Sequence, residues 1–157
     1  YRNRLTQSIA GPTYSYLYDH NNTRVKRSTT IPPITATLTP SPYFSVEDGI
    51  NVKYVMGNGQ ILASIRGTGT SSLPYYLHPD HLGSTEKLTN ASGTIAELSD
   101  YFPYGTTRQN LQYILNDRKG FLGKDFDSDT VLSYLEARYY KNKALPRPAL
   151  GRPPVKC

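Results

Sequence analysis

The stretch "NVKYVMGNGQILASIRG", residues 51–67, folds readily in only one way. Val52, Tyr54 and Met56 share one face of an extended chain, and Ile61, Ala63 and Ile65 share a face on the return. Between them, Asn58 and Gly59 accept the positive φ that a two-residue hairpin turn requires. Similar short runs, rich in tyrosine and β-branched residues and cut by Gly, Asn, Asp and Pro, recur along the chain. Residues 75–78, 84–89 and 94–101 read as a three-strand meander, reversing at Pro79-Asp80-His81-Leu82-Gly83 and at Asn90-Ala91-Ser92-Gly93. Strict alternation would put Glu86 on the face of Leu88 and Glu97 on the face of Ile95, which a sheet wetted in part on both faces tolerates. The expected fold class is all-β, built of antiparallel hairpins. At most one short helix is expected, over residues 110–119, where Leu111, Ile114 and Leu115 follow helical spacing.

Composition narrows the core. Only 37% of the 157 residues are apolar, against about 45–50% in ordinary domains on a count that includes glycine. Tyrosine partly fills the gap, with 14 copies beside 4 phenylalanines and no tryptophan, and a tyrosine ring can be buried while its hydroxyl stays hydrated. The single cysteine, Cys157, excludes an internal disulfide, although not export. No apolar run reaches the roughly 20 residues of a membrane span, and no charged-then-apolar leader opens the sequence. Beginning at Tyr1, the chain is expected to be a piece of a longer protein.

Charge and proline divide it further. The first 30 residues carry +4, the last 17 carry +5, and the stretch between carries −3. The basic tail, residues 141–157, is proline-rich and without aromatics, so it is expected to be disordered rather than a nucleic-acid reader. Residues 31–44 lie in a run with four prolines and five threonines, and a linker or edge segment is expected there. The organisation expected is a hairpin over 1–30, a linker over 31–44, a core over 45–140 and a tail over 141–157.

Four segments carry a family likeness. "YSYLYDHNNTRVKR", residues 14–27, resembles a YD repeat, with Tyr18-Asp19 as the pair and Asn22-Thr23-Arg24 in place of the usual glycine-containing turn. "YYLHPDHLGSTEKLTNASG" is similar to the signature of the Rhs repeat-associated core, with His78, Asp80, His81, Leu82, Gly83, Ser84 and Gly93 in place. "DYFPYG", with Tyr101, Pro103 and Gly105, and "FLGKDFDSDTVLSYLEARYY" resemble its closing motifs. The second supplies Gly123, Lys124, Asp127, Ala137, Arg138, Tyr139 and Tyr140. The resemblance covers about half the chain, in family order, and implies a β-rich Rhs/YD-repeat protein of the polymorphic-toxin type, secreted or cell-surface and bacterial. In that family, repeat arrays wind into a hollow shell, the core segment ends it, and a C-terminal effector is held inside. The implied partners are the remaining shell and an effector domain. The chain departs from the family after Tyr140, where Lys141-Asn142-Lys143 follow, and with no aspartate beyond Asp129 no self-cleavage site is assigned.

Candidate chemistry is sparse. His78, Asp80 and His81 could share a metal ion, but they sit at a reverse turn, where Pro79, Asp80 and Gly83 suit turn formation. Asp125, Asp127 and Asp129 mimic the start of a calcium loop without its glycine or distal glutamate, and residues 127–130 read better as a hairpin turn. Ser84 near His81 lacks the strand-to-helix elbow of a nucleophile. Asn21-Asn22-Thr23 and Asn90-Ala91-Ser92 read as glycosylation sequons, and also as ordinary turns. No catalytic, cofactor or metal residue is expected, and the role expected is structural and non-catalytic. The alternative is a carbohydrate- or cell-wall-binding module in which surface tyrosines stack on sugars.

Overall fold

The computed structural model describes residues 4–30, 36–112, 115, 117–136 and 138–141. Eleven strands follow one another in a single antiparallel sheet, each hydrogen-bonded to the next. They are β1 (Gln7–Ile9), β2 (Thr13–Tyr18), β3 (Arg24–Thr29), β4 (Ala36–Ser41), β5 (Phe44–Glu47), β6 (Ile50–Gly57), β7 (Gln60–Thr68), β8 (Ser71–Pro79), β9 (Thr85–Asn90), β10 (Ile95–Tyr101) and β11 (Thr107–Gln112). A single 3-10 turn over Phe121–Gly123 precedes a second sheet of β12 (Asp125–Asp127), β13 (Leu132–Leu135) and β14 (Arg138–Lys141). The fold is all-β.

The hairpin over residues 51–67 forms as β6 and β7, with Asn58 at φ 51° and Gly59 at φ 76°. Its register slips between Val55 and Met56, so Val52 and Tyr54 lie opposite Arg66 and Ser64, while Lys53 lies opposite Ile65. The meander also forms, as β8 to β10. A slip between Ile95 and Glu97 separates two residues that strict alternation had placed together: Ile95 is 38% exposed and Glu97 4%. A bulge of this kind reverses the side-chain sense at one point in a strand.

Two expectations are corrected. Residues 36–44, the described part of the stretch 31–44 expected as a linker or edge segment, belong to the sheet: β4 pairs with β3 on one side and β5 on the other. Pro40 is accommodated because pairing with β3 ends at Leu38, and the β5 register jumps from Leu38 to Ser41, leaving Pro40 off both ladders. Residues 110–112 are strand rather than helix, since Leu111 lies opposite Leu98 and the cross-strand ladder outweighs a weak helical spacing. Ile114, Ala137 and residues 142–157, with the expected disordered tail, lie outside the described residues.

One five-residue loop recurs at 19–23, 80–84, 90–94, 102–106 and 120–124. In each, the first N–H donates to the fifth carbonyl and the fourth N–H to the first carbonyl. The fourth residue takes positive φ: Asn22, Gly83, Gly93, Gly105 and Gly123, between 64° and 82°. In three loops a side-chain oxygen of the first residue, Asp19, Asp80 or Asn90, accepts N–H bonds from the third and fifth residues. Asn22 stands in for glycine because asparagine tolerates the left-handed region.

The apolar core is small. Tyr75, Leu77, Leu88 and Ala96 form it, with Ile61 and Leu115 packed against it. Much of the remaining buried face is polar, including Arg24, Arg27, Thr37, Glu47, Ser64 and Ser99. The low apolar fraction is thus matched by a polar interior.

Candidate functional site

The C-terminal segment, residues 117–136, lies across the buried face of the large sheet and meets it through charge. At β10 the Asp117 N–H donates to Glu97 Oε2 at 2.8 Å. The Asp117 carboxylate faces Arg66 on β7 at 3.5 Å, and the same guanidinium holds Glu47 on β5 at 2.7 Å. Arg118 donates to Thr37 Oγ1 on β4 at 2.6 Å and also holds Asp127. Lys119 pairs with Asp125 at 2.6 Å. A recess between segment and sheet is lined by Thr37, Thr39, Glu47, Tyr54, Arg118 and Lys119.

At β3 the contact is densest. Asp127, 1% exposed, receives Arg24 at 2.5 Å and Arg27 at 3.4 Å beside Arg118. Asp125 receives Arg24 at 3.3 Å, and Asp129 receives Arg27 at 2.6 Å. The alternation of a strand brings Asp125 and Asp127 to one side, so the acidic triad reads as a ladder of cation partners. Tyrosines surround the cations. The Arg24 guanidinium lies 4.5 Å from the Tyr134 ring centre and under 6 Å from those of Tyr16 and Tyr139, and Arg27 lies 4.5 Å from that of Tyr14. The Tyr18 hydroxyl donates to the Leu5 carbonyl at 2.6 Å and lies 3.1 Å from the Tyr139 hydroxyl.

Electrostatics follow from these contacts. Burial opposes charge on Arg24, but Asp127 and Asp125 outweigh it and raise its pKa. Burial would raise Asp125 too, yet Lys119, Arg118 and Arg24 hold it well below the usual carboxylate range. Glu97 and Asp117 behave oppositely: burial raises both, with Arg66 opposing the rise at Asp117. Burial pushes Tyr101 up to about 12.

Because its folded pKa lies above the ordinary value, Glu97 destabilises the fold while charged, and the loss is relieved as pH falls through the folded value toward 4.5. Glu97→Gln, which keeps an acceptor for the Asp117 N–H, is expected to be more stable than the parent at pH 7 and equal to it near pH 4. Urea midpoints across that range check this; a variant less stable at pH 7 would contradict it.

The expected signature residues fall into two joints and several outlying turns. In the first joint, Tyr18, Arg24, Asp127 and Tyr139 meet in the cation–tyrosine cluster. In the second, the loops at 80–84, 102–106 and 120–124 converge. The buried Ser84 Oγ accepts the Leu122 N–H at 3.1 Å, and the Thr85 N–H donates to the Gly120 carbonyl at 3.2 Å. Gly123 approaches the Gly83 carbonyl, and the Phe121 ring packs over Gly105 and beside Tyr101, 5.9 Å between ring centres. The Ser84 hydroxyl thus serves this joint.

Elsewhere, His78 Nε2 lies 3.0 Å from Thr89 Oγ1, the Asp80 carboxylate is taken by loop amides, and Leu82 is 52% exposed. His81, Pro103 and Arg138 are exposed. Asp19 and Gly93 shape turns, Lys124 pairs with Glu136, and the Tyr140 hydroxyl donates to the Tyr104 carbonyl at 3.2 Å. No group of three His, Cys, Asp or Glu suited to a metal ion occurs among the described residues.

The motifs did not disclose Arg27, Glu47, Arg66, Glu97, Asp117, Arg118 and Lys119. For Arg27, Glu47, Arg66 and Glu97 the signal was charge at an inward strand position, as for Glu97 between Ala96 and Leu98, whereas Asp117, Arg118 and Lys119 lie outside the strands and carried none.

Solved structures share this fold. TcdB2-TccC3-TEV matches with a TM-score of 0.72 at 19% identity, over 90% of this chain and 8% of that one. TcdB2-TccC3 without its hypervariable C-terminal region matches at 0.69 and 17%, over 83% and 7%. A Photorhabdus luminescens Tc holotoxin pore carrying a TccC3 substitution matches at 0.66 and 18%, over 88% and 8%. At these identities the likeness is one of fold alone, and the chain spans less than a tenth of those chains. No family profile and no curated protein matches it.

Proposed function

We propose that the chain is a structural, non-catalytic part of the wall of a Tc/Rhs-type toxin shell, from the region that closes the repeat array. The observation that carries this reading is the joining of strands to the C-terminal segment, by Arg24, Arg27 and Arg66 through its carboxylates and by Arg118 of the segment through Thr37. These cations are engaged by the chain's own carboxylates, an arrangement suited to holding a wall together. The fold likeness to TcdB2-TccC3 supports the same reading. By extension from TccC3, whose C-terminal region is hypervariable, the parent of this chain would enclose and deliver an effector outside the producing cell. The glycan-binding alternative rests on surface tyrosines: Tyr14, Tyr16, Tyr54, Tyr75 and Tyr134 are buried, and Tyr43, Tyr76 and Tyr104 are the exposed ones it would use.

Grafting this chain in place of the matching segment of a TcdB2-TccC3 shell tests the role. A closed shell by electron microscopy is the expected outcome; a shell that opens or fails to assemble counts against it.

The isolated chain carries a further expectation. Among the described residues, β1 and β11 each pair on one side only. Such edges recruit other strands. Self-association that rises with concentration is expected in light scattering, and Ile9→Lys with Leu111→Lys should reduce it by charging both edges. A parent chain that stays monomeric at all concentrations would contradict this.

A further inference from the structure

The outer face of the sheet has a regularity that wall-building does not use. Cross-strand neighbours form the row Leu17–Lys26–Leu38–Val46 over β2 to β5. A second row, Phe44–Lys53–Ile65–Pro74, runs over β5 to β8. A third, His78–Lys87–Leu98–Leu111, runs over β8 to β11. Each row spans four strands and carries its one lysine in second place, flanked by apolar side chains over most of its length. The lysines therefore recur on every third strand, roughly 14 Å apart across the strands at ordinary spacing and offset along them by two residues on β5 and four on β8.

None of these lysines makes an ion pair among the described residues, whereas Arg24, Arg27, Arg66, Arg118 and Lys119 on the other face all do. No acid stands in the three rows; of the acids beside them, Asp100 is held by Arg108 and Glu86 is exposed next to Lys87. The aliphatic partners are open to solvent, with Leu17 57%, Leu38 42% and Leu111 38% exposed. Tyr76, 46% exposed, lies between the second and third rows.

We infer that this face docks on an anionic lipid surface, the aliphatic side chains and Tyr76 entering the headgroup boundary and Lys26, Lys53 and Lys87 meeting lipid phosphates and carboxylates. Lysine suits that boundary, since its stem lies along apolar surface while its ammonium reaches charge. A second copy is disfavoured, because a two-fold contact through the same face would bring six of these lysines together with no acid in the rows to face them. An acidic protein is the less favoured occupant: the recess that could anchor a side chain opens on the inner face. The inference rests on the two faces of the sheet and not on the shell reading.

The test is co-sedimentation of the full chain with phosphatidylcholine vesicles, with and without a third of phosphatidylserine, at low and high salt. Binding to the anionic vesicles alone, weakened by salt, is expected. Each lysine near such a surface contributes about fivefold. Combining Lys26→Gln, Lys53→Gln and Lys87→Gln should therefore lower partitioning on the order of 100-fold, while the three Lys→Arg changes retain it. Circular dichroism of both triple variants reports whether the sheet is intact. Failure of the parent chain to sediment with anionic vesicles at low salt overturns the inference. So does undiminished binding by the Gln variant, which would assign it to the basic tail. Equal affinity for soluble polyglutamate would overturn it in favour of an acidic protein.

Discussion

Replacing Asp127 with alanine is expected to destabilise the chain by about 3–5 kcal/mol, the usual cost of removing one partner from a buried ion pair. Asp127 accepts charge from Arg24, Arg27 and Arg118 in a site that excludes water. Without its carboxylate, three guanidiniums face one another with only Asp125 and Asp129 nearby, and Asp129 is half-exposed. Against a total stability of about 5–15 kcal/mol for a domain, that loss is large. It also has a location. The residues that lose their anchor are β12 to β14, whereas the ladders of the large sheet do not involve them. Limited proteolysis should therefore cut the region around β12 to β14 in Asp127→Ala well before it cuts β6 to β9. Urea unfolding measures the total. A shift under about 1 kcal/mol would show that the cluster contributes no more than a surface pair does.

Gly105→Ala is expected to destabilise by about 2–5 kcal/mol, from two additive sources. At φ 76° an alanine pays the left-handed penalty of about 1–2 kcal/mol. Its Cβ would also strike Phe121 Cδ1, and overpacking of this kind costs about 1–3 kcal/mol. The second source is separable. Phe121→Leu alone should weaken the joint, yet in the Gly105→Ala background it should restore part of the loss, because the ring is what the new methyl strikes. A thermodynamic cycle of the four proteins reads this as a favourable coupling between the substitutions. Additive losses would mean that the ring moves aside freely and that the positive φ accounts for the whole effect.

Turn chemistry explains why so much of the architecture was readable in advance. Asn58-Gly59, the 80–84 loop and the 90–94 loop each declare their reversal through residues that only such turns favour, so β6 to β10 follow from local rules. The 19–23 and 120–124 loops obey the same geometry with less typical residues, and they stand out only once the hydrogen bonds are compared. The strand β4 was hidden by Pro40, whose missing donor argues against a central strand unless the ladder skips it, and a register jump is not visible in one strand's sequence. The same holds for Ile95 and Glu97, where a single extra residue sends one outward and the other inward.

The residues singled out by the motifs could be named from the sequence, but not the joints in which some of them meet. Nothing local links Arg24 with Asp127, 103 residues away, or Ser84 with Leu122. What the amino-acid sequence determined by itself was the class of structure: an antiparallel sheet of short strands, rich in tyrosine and poor in aliphatic core, because turns and alternation act between near neighbours. What only the tertiary structure decided was which charges are buried and against which partners. A lone arginine or aspartate reads as solvated, and its burial is tolerated only where a distant segment delivers the opposite charge to the same place.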